Sequence, residues 1–284
     1  MIVYEKLLDY HIPDVRQLVT ARDTALYALS IGLGQDPMDT AQLDFVDERR
    51  RLHSIPSHAV VVGHPGFWLS APDTGVNAAQ LVHGEQSLVV HKQMPIEGEF
   101  IGRTRVESII DKGPGKGALL YTSKSLIDAG TGDLLATAES TTFLRGDGGF
   151  GGPSGPSRAP DPIPEKAPEH VVDLATRPEQ ALYYRLNGDY NPLHSDPPSA
   201  ARAGFSRPIL HGLCTYGITC HALLRTVCGY DPTRLRMMRL RFTAPVVPGE
   251  TIRVEIWNSG AFRARTVETD AIVVNNGAFE LASA

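Results

Sequence analysis

The sequence predicts an α+β fold in two similar halves, each an antiparallel sheet wrapped around a helix. Two observations carry this. Each half places a helix-like segment ahead of several consecutive strand-like runs, an order that builds antiparallel sheets rather than alternating βαβ units. Each half also repeats the same landmarks. Thr20-Ala21-Arg22-Asp23 answers Thr176-Arg177-Pro178-Glu179, Thr followed three residues later by an acid, which is a capping-box pattern. Gly32 and Gly188 follow at equal distance, and Pro95-Ile96-Glu97-Gly98-Glu99 answers Val246-Val247-Pro248-Gly249-Glu250. Repetition on this scale points to duplicated domains.

In the first half, strands are expected over Gln86–Met94, Arg103–Ile110, Ala118–Ile127 and Ala136–Leu144, which are rich in β-branched and apolar residues. A short central helix is expected within Ala71–Val82. In the second half, apolar residues at Leu213, Tyr216, Cys220, Leu223, Leu224 and Val227 recur with helical spacing, and His211-Gly212 marks the start. Pro178 suits the first turn of an earlier helix. Strands are expected over Leu235–Thr243, Thr251–Trp257 and Thr266–Val274. Between the halves, Arg145 to His170 is Gly-rich and then Pro-rich, a composition that builds no core. The expected domains are 1–148, a linker over 149–165, and 166–284.

Composition narrows the function classes. The chain has 284 residues, 42% hydrophobic and 21% charged, ordinary for a globular protein with a sizeable core. A net charge of -5 gives no reason to expect nucleic acid. No apolar run is long enough for a membrane span. Met1-Ile2-Val3-Tyr4-Glu5-Lys6 does not read as a signal peptide, and Leu281-Ala282-Ser283-Ala284 does not end in a peroxisomal tripeptide. Cys214, Cys220 and Cys228 form an odd, sparse set, read as small core residues in a reducing, cytoplasmic setting. His58, His64 and His91 show no metal-ligand grouping and are read structurally.

The chemistry concentrates in Leu186-Asn187-Gly188-Asp189-Tyr190-Asn191-Pro192-Leu193-His194. Asn-Gly and Asn-Pro break regular structure, so Asp189 and His194 can bend toward one point. A carboxylate and an imidazole sharing one water can add it to a polarised double bond, or remove it. Such addition also needs a donor aimed at the carbonyl oxygen where charge develops. Gly212, at a helix start, can offer a backbone N–H with no intrahelical partner. Aligning the halves through Gly32 and Gly188 sets Leu33 against Asp189 and Met38 against His194. The first copy has lost the ionisable pair, so one active site per chain is expected, in the second half.

The run Tyr183 to His194, with Gly-Asp-x-Asn-Pro-Leu-His inside it, resembles the signature of MaoC-like type 2 enoyl-CoA hydratases. His83-Gly84-Glu85-Gln86, Asp111-Lys112-Gly113, Arg145–Gly152 and Leu210-His211-Gly212 resemble the two-domain form, that of the hydratase unit of peroxisomal multifunctional enzyme type 2. The resemblance implies a double hot-dog fold and hydration of trans-2-enoyl-CoA to (3R)-3-hydroxyacyl-CoA. It implies no cofactor beyond the CoA of the substrate, no metal, and a homodimer. Asp189 and His194 would be the catalytic pair, Asn191 would fix the water and the loop, and Gly212 would give the oxyanion N–H. His83, Gly84, Lys112, Tyr190, Pro192, Leu193 and Phe242 would line the acyl-CoA site. Lys112 stands beside Gly113-Pro114-Gly115-Lys116-Gly117, which lacks the order of a phosphate-binding P-loop. A degenerate first half with a shortened helix would leave room for medium, long or bulky acyl chains. The competing functions are a hot-dog acyl-CoA thioesterase and a non-catalytic acyl-CoA-binding partner.

Overall fold

The computed structural model describes residues 1–282; Ser283 and Ala284, which complete the C-terminal tripeptide, lie outside the described residues. The first half runs α1 (Tyr4–Leu8), β1 (Val15–Val19), α2 (Ala21–Ser30), α3 (Thr40–Leu43), α4 (His58–Val61), β2 (Leu81–Val90), β3 (Gly98–Asp111), β4 (Ala118–Asp128) and β5 (Leu134–Leu144). The second half runs β6 (His170–Ala175), α5 (Gln180–Tyr184), α6 (Pro197–Arg202), α7 (Gly212–Thr226), β7 (Leu235–Phe242), β8 (Thr251–Ile256), β9 (Ala261–Thr266) and β10 (Ile272–Leu281).

All ten strands join one antiparallel sheet in the order β1-β3-β4-β5-β2-β7-β10-β9-β8-β6. Read from either edge the order is the same, with β1 answering β6, β2 answering β7, and so on inward. The duplication in the sequence is therefore a pseudo-twofold in the fold, with its axis at the β2–β7 pair. That pair aligns Glu85 with Arg241 through Val89 with Met237. The sheet wraps α7, whose residues from Cys214 to Leu224 are all buried. It is buried all round, Thr215, Thr219 and His221 included, because sheet and first-half helices enclose it. The left-handed glycines of the repeat also agree, at φ +92° for Gly32 and +113° for Gly188.

Four expectations are corrected. No helix forms over Ala71–Val82: Pro72 and Gly75 (φ +73°) break the segment into 3-10 turns, and β2 begins at Leu81 and ends at Val90. The place of a central helix in the first half falls to α4, a single turn. The run Thr266–Val274 is no strand but spans a turn, with Asp270 at φ +54°, between β9 and β10. The capping box forms at Thr20–Asp23, yet Thr176 instead donates its hydroxyl to the Glu250 carbonyl at 2.7 Å. With Thr176 turned away, α5 starts at Gln180, and Pro178 lies outside it.

The Gly- and Pro-rich connector has no helix or strand between Leu144 and His170 and is docked at points along its length, with 153–160 exposed. The Asp111 carboxylate accepts the N–H groups of Gly149 and Gly151 at 2.7 and 2.9 Å. Phe150 packs on the small cluster of Leu7, Leu69 and Leu120. Asp161 holds Arg239 through two bonds of 2.6 Å. The three cysteines are buried free thiols. No helix among the described residues is long and apolar enough to cross a membrane.

Candidate active site

The site is built where the second-half turn meets the start of α7. A 3-10 turn over Arg185–Asn187 ends at Gly188, whose left-handed backbone redirects the chain outward. Asp189 follows, its Oδ1 accepting the Asn191 N–H at 3.1 Å. The Asn191 side chain then accepts the Leu193 N–H at 3.1 Å and starts a second 3-10 turn over Pro192–His194. These two Asx bonds fold the motif so that Asp189 and His194 face the same point.

His194 is buried, and its Nδ1 lies 2.9 Å from the Ile209 carbonyl oxygen. A carbonyl only accepts, so Nδ1 carries the hydrogen and Nε2 keeps its lone pair. Burial pushes the imidazole below its ordinary value, and the Ile209 bond and the Asp189 carboxylate oppose that shift. His194 is accordingly a neutral base at neutral pH.

His211, which in the sequence reads as a break before a helix, joins this pair. Its ring stacks on His194 with centroids 3.8 Å apart and 27° between planes. Its Nε2–H donates to the main-chain oxygen of Asp189 at 3.2 Å. His211 thus touches both members of the pair. Burial, and then the neighbouring His194, push it down to about 4. One donor atom from each of Asp189, His194 and His211 lies within 4.8 Å of the others. Three potential donor atoms thus gather at one point on the turn.

Gly212 is the first residue of α7, and its N–H has no hydrogen-bond partner among the described residues. A Cβ there would meet only the Phe242 ring, at an ordinary 3.6 Å. Packing alone therefore leaves room for a side chain at this position. Phe242 in turn meets His83 edge-on, ring centroids 5.0 Å apart.

A β-bulge brings His83 to this side. On β2, His83 pairs with Thr142 and Glu85 with Thr141, leaving Gly84 as the extra residue. His83 and Glu85 therefore face opposite sides of the sheet, whereas simple alternation would put them together. Glu85 turns outward to Arg241 and Thr141. That outer face, under the connector, holds a cavity of about 220 Å³ lined by Glu85, Tyr121, Glu139, Arg158, Arg239 and Arg241, with the sheet between it and the catalytic pair.

The other expected residues divide. Tyr190 is exposed beneath the Arg185 guanidinium, 5.3 Å from its ring centroid. Pro192 is exposed and Leu193 half-buried on the same turn. Lys112 stands at the same end of the sheet as His83, but its ammonium reaches only the Gly155 carbonyl, at 3.4 Å, and no member of the catalytic cluster. His64, read as structural, is exposed, and its Nδ1 accepts the Gly66 N–H at 3.1 Å. The first half also braces the turn. Ser30, at the end of α2, accepts Gln180 Nε2 on its carbonyl at 2.5 Å and Asn187 Nδ2 on its hydroxyl at 2.9 Å. No sequence signal marks that serine.

A model described as the MaoC like domain matches residues 160–278, and one described as the MFE-2 hydratase 2 N-terminal domain matches residues 18–146. The chain is 38% identical to "Enoyl-CoA hydratase 2, peroxisomal" of Arabidopsis thaliana, over 89% of this chain and 86% of that one. It is 39% identical to "3-hydroxyacyl-thioester dehydratase Y" of Mycobacterium tuberculosis, over 92% of each. Among solved structures, a MaoC-like dehydratase from Phytophthora capsici is 33% identical, with a TM-score of 0.85 over 99% of both chains. The fold is the double hot-dog.

Proposed function

The chain belongs to the MaoC-like type 2 hydratase family, and we propose that it adds water to trans-2-enoyl-CoA to give (3R)-3-hydroxyacyl-CoA, and removes it in reverse. The observation that carries this is the convergence of the Asp189 carboxylate and His194, with Nε2 free, beside the open N–H of Gly212.

The steps follow from the atoms. A water held between Asp189 and His194 Nε2 lies beside the β-carbon of the substrate. As its oxygen bonds that carbon, His194 Nε2 takes its proton, with the Asp189 carboxylate stabilising the imidazolium that forms. The electrons of the double bond move toward the thioester oxygen, where the Gly212 N–H is the donor. Transfer of that proton to the α-carbon completes the addition and returns His194 to its starting state. Asn191 keeps Asp189 in place through the two Asx bonds. His83, Gly84, Phe242, Tyr190, Pro192 and Leu193 line the acyl-CoA site, and Lys112 meets the CoA moiety at its far end. CoA is part of the substrate, and no further cofactor enters.

Medium, long or bulky acyl chains are the proposed substrates. The support is the contrast between the single turn of α4 and the 15 residues of α7, since a short helix frees space inside the first-half sheet. A homodimer in the cytoplasm completes the proposal. Buried free thiols support a reducing compartment; the Arabidopsis relative is named peroxisomal.

A hydration assay across acyl-CoA lengths, with chiral analysis of the product, tests the reading. Loss of the enoyl absorbance with formation of the (3R) alcohol is expected. Thiol release without hydration would instead identify a thioesterase, and an (S) product would overturn the stereochemistry.

A further inference from the structure

The hydroxyl of Tyr184 and the Nδ1 of His211 are buried polar atoms without a hydrogen-bond partner among the described residues. Both side chains are 1% exposed, and their rings pack with centroids 5.0 Å apart at 48°. The two atoms are complementary. His211 Nε2–H donates to the main-chain oxygen of Asp189 at 3.2 Å, which leaves Nδ1 as a bare acceptor. Burial and the neighbouring His194 hold that imidazole down at about 4, so it stays neutral. Burial pushes the Tyr184 phenol up, so its hydroxyl stays a donor. Leaving one buried polar group unpaired is costly, and here a donor and an acceptor stand unpaired side by side.

The surrounding groups are already spent. The Ser30 carbonyl accepts Gln180 Nε2, and Cys214 Sγ reaches it at 3.5 Å. The Ser30 hydroxyl donates to the Tyr27 carbonyl at 2.7 Å and accepts Asn187 Nδ2. His194 Nδ1–H is taken by the Ile209 carbonyl. The first half shows the alternative. There Tyr27 stacks on His58, at the start of α4, with centroids 4.5 Å apart, but its hydroxyl bonds Ser57, the residue before that imidazole, at 2.9 Å. His58 Nδ1 is left without a partner among the described residues. In the second half the residue before His211 is Leu210, which offers no hydroxyl. The tyrosine is free to serve the imidazole in the half where that imidazole holds the catalytic turn.

We propose that Tyr184 is a positioning residue for the hydration: its hydroxyl donates to His211 Nδ1 through one shared water, and so fixes the tautomer that holds Asp189. This deepens the hydratase reading and rests on it. A water between the two atoms has two polar partners, the least that an internal water needs. With a donor at Nδ1, the imidazole keeps its hydrogen on Nε2, where the Asp189 oxygen uses it. Without that donor the other tautomer is open, and it sets the lone pair of Nε2 against that of the Asp189 oxygen. Tyr184 also stands at the root of the turn. Its carbonyl accepts Asn187 Nδ2 at 2.9 Å, two residues before Asp189. The series Tyr184, His211, Asp189 thus braces an exposed turn from the inside.

The experiment combines Tyr184→Phe with His211→Phe and follows kcat, KM and the urea midpoint in the four proteins of the cycle. Tyr184→Phe alone is expected to lower kcat about threefold with KM unchanged, since a loosened Asp189 misplaces the reacting water rather than the substrate. Its urea midpoint is expected to fall, because a bonded hydroxyl is lost. In the His211→Phe background the same change is expected to leave kcat where it was and to leave or raise the midpoint, because the hydroxyl there has lost its acceptor. Tyr27→Phe is the control. It loses the bond to Ser57, and is expected to lower the midpoint equally in both backgrounds with kcat untouched. Three results overturn the inference. They are a raised midpoint in Tyr184→Phe alone, which would mark the hydroxyl as an orphan, parent kcat in that variant, or equal losses with and without His211. Absence of hydration in the parent would overturn the hydratase reading instead, and the midpoints would still test the bond.

Discussion

The two halves share a strand order, a left-handed glycine and a place in one sheet, and they differ in what lies inside it. The second half encloses a helix of 15 residues whose first N–H groups open on the catalytic turn. The first half encloses a single turn, α4, whose last carbonyls bind the Lys124 ammonium. At the positions aligned with Asp189 and His194 stand Leu33, fully buried, and Met38, exposed to solvent. Duplication has let chemistry and shape separate. The half that keeps the acid and base must hold its helix start rigid, and the half that lost them is free to shorten its own. The halves are not independent for all that, since Ser30 of the first anchors the turn of the second.

The sharpest way to test this division removes one member of the pair. Asp189→Asn is expected to lower hydration by at least about a hundredfold, the usual weight of a general acid–base group. Melting of the variant should stay near the parent, because the Asp189 side chain makes only the local Asx bond. The reverse substitution, Met38→His, is expected to add no activity. Position 38 faces solvent and has no counterpart of His211 to stack upon. Activity surviving Asp189→Asn would mean that the halves do not differ in the way described.

The joint between the halves can be loosened without touching the chemistry. Gly217 lies where α7 meets the chain after α2, and a Cβ there would stand 2.5 Å from Ile31 Cγ2 and 3.0 Å from the Tyr27 hydroxyl. Gly217→Ala gains helix propensity but overpacks a closed core, so a net loss of about 1–3 kcal/mol is expected in urea unfolding. A stabilised variant would show that the halves are not in firm contact there.

A smaller effect separates stacking from hydrogen bonding within the active half. His211→Phe keeps a flat ring against His194 and loses the bond to the Asp189 carbonyl; His211→Ala loses both. Turnover is expected to fall about tenfold in His211→Ala, since small displacements of reacting groups are costly, and less in His211→Phe. The acid limb of kcat/KM should move up in His211→Ala, toward the ordinary imidazole range, once His194 is less enclosed, and stay near the parent in His211→Phe. Parent-like turnover in His211→Ala would confine the site to two residues.

What could be read ahead of the fold follows the same contrast. The helix of the second half shows its period over four turns, and most strands show as runs rich in β-branched and apolar residues, so both were legible. The meeting of Asp189 and His194 was legible because Asn-Gly and Asn-Pro announce a turn that presents side chains. α4 has too few residues for any period to show. Lys124 is misleading in sequence, because a lysine in a strand ordinarily points outward, and only tertiary carbonyls explain its direction. The bulge at Gly84 was hidden for a like reason: one extra residue in β2 appears only against the count of β5. The break between β9 and β10 was lost because Thr266 and Val267 carry strand propensity into a turn that Asp270 closes.

Acid provides the last test, on both halves at once. Buried imidazoles occur in each: His58 in the first is pushed down to about 3, and His211 and His221 in the second to about 4. An imidazole with a folded-state value below its unfolded one binds fewer protons when folded. The stability it contributes is complete above about 6.5, the unfolded value, and declines as pH falls through the window down to the folded value. Unfolding midpoints in urea are therefore expected to be lower at about pH 5 than at about pH 7. Trp68 belongs to the first half and Trp257 to the second, so Trp257→Phe and Trp68→Phe leave one reporter in each. Both reporters should give one shared midpoint at each pH. The β2–β7 pairing and a core cluster running from Tyr27 and Ile31 to Cys214 and Phe262 tie the halves into one cooperative unit. Two separate midpoints would show that the shortened half unfolds by itself, and that the pseudo-twofold joins two domains rather than completing one.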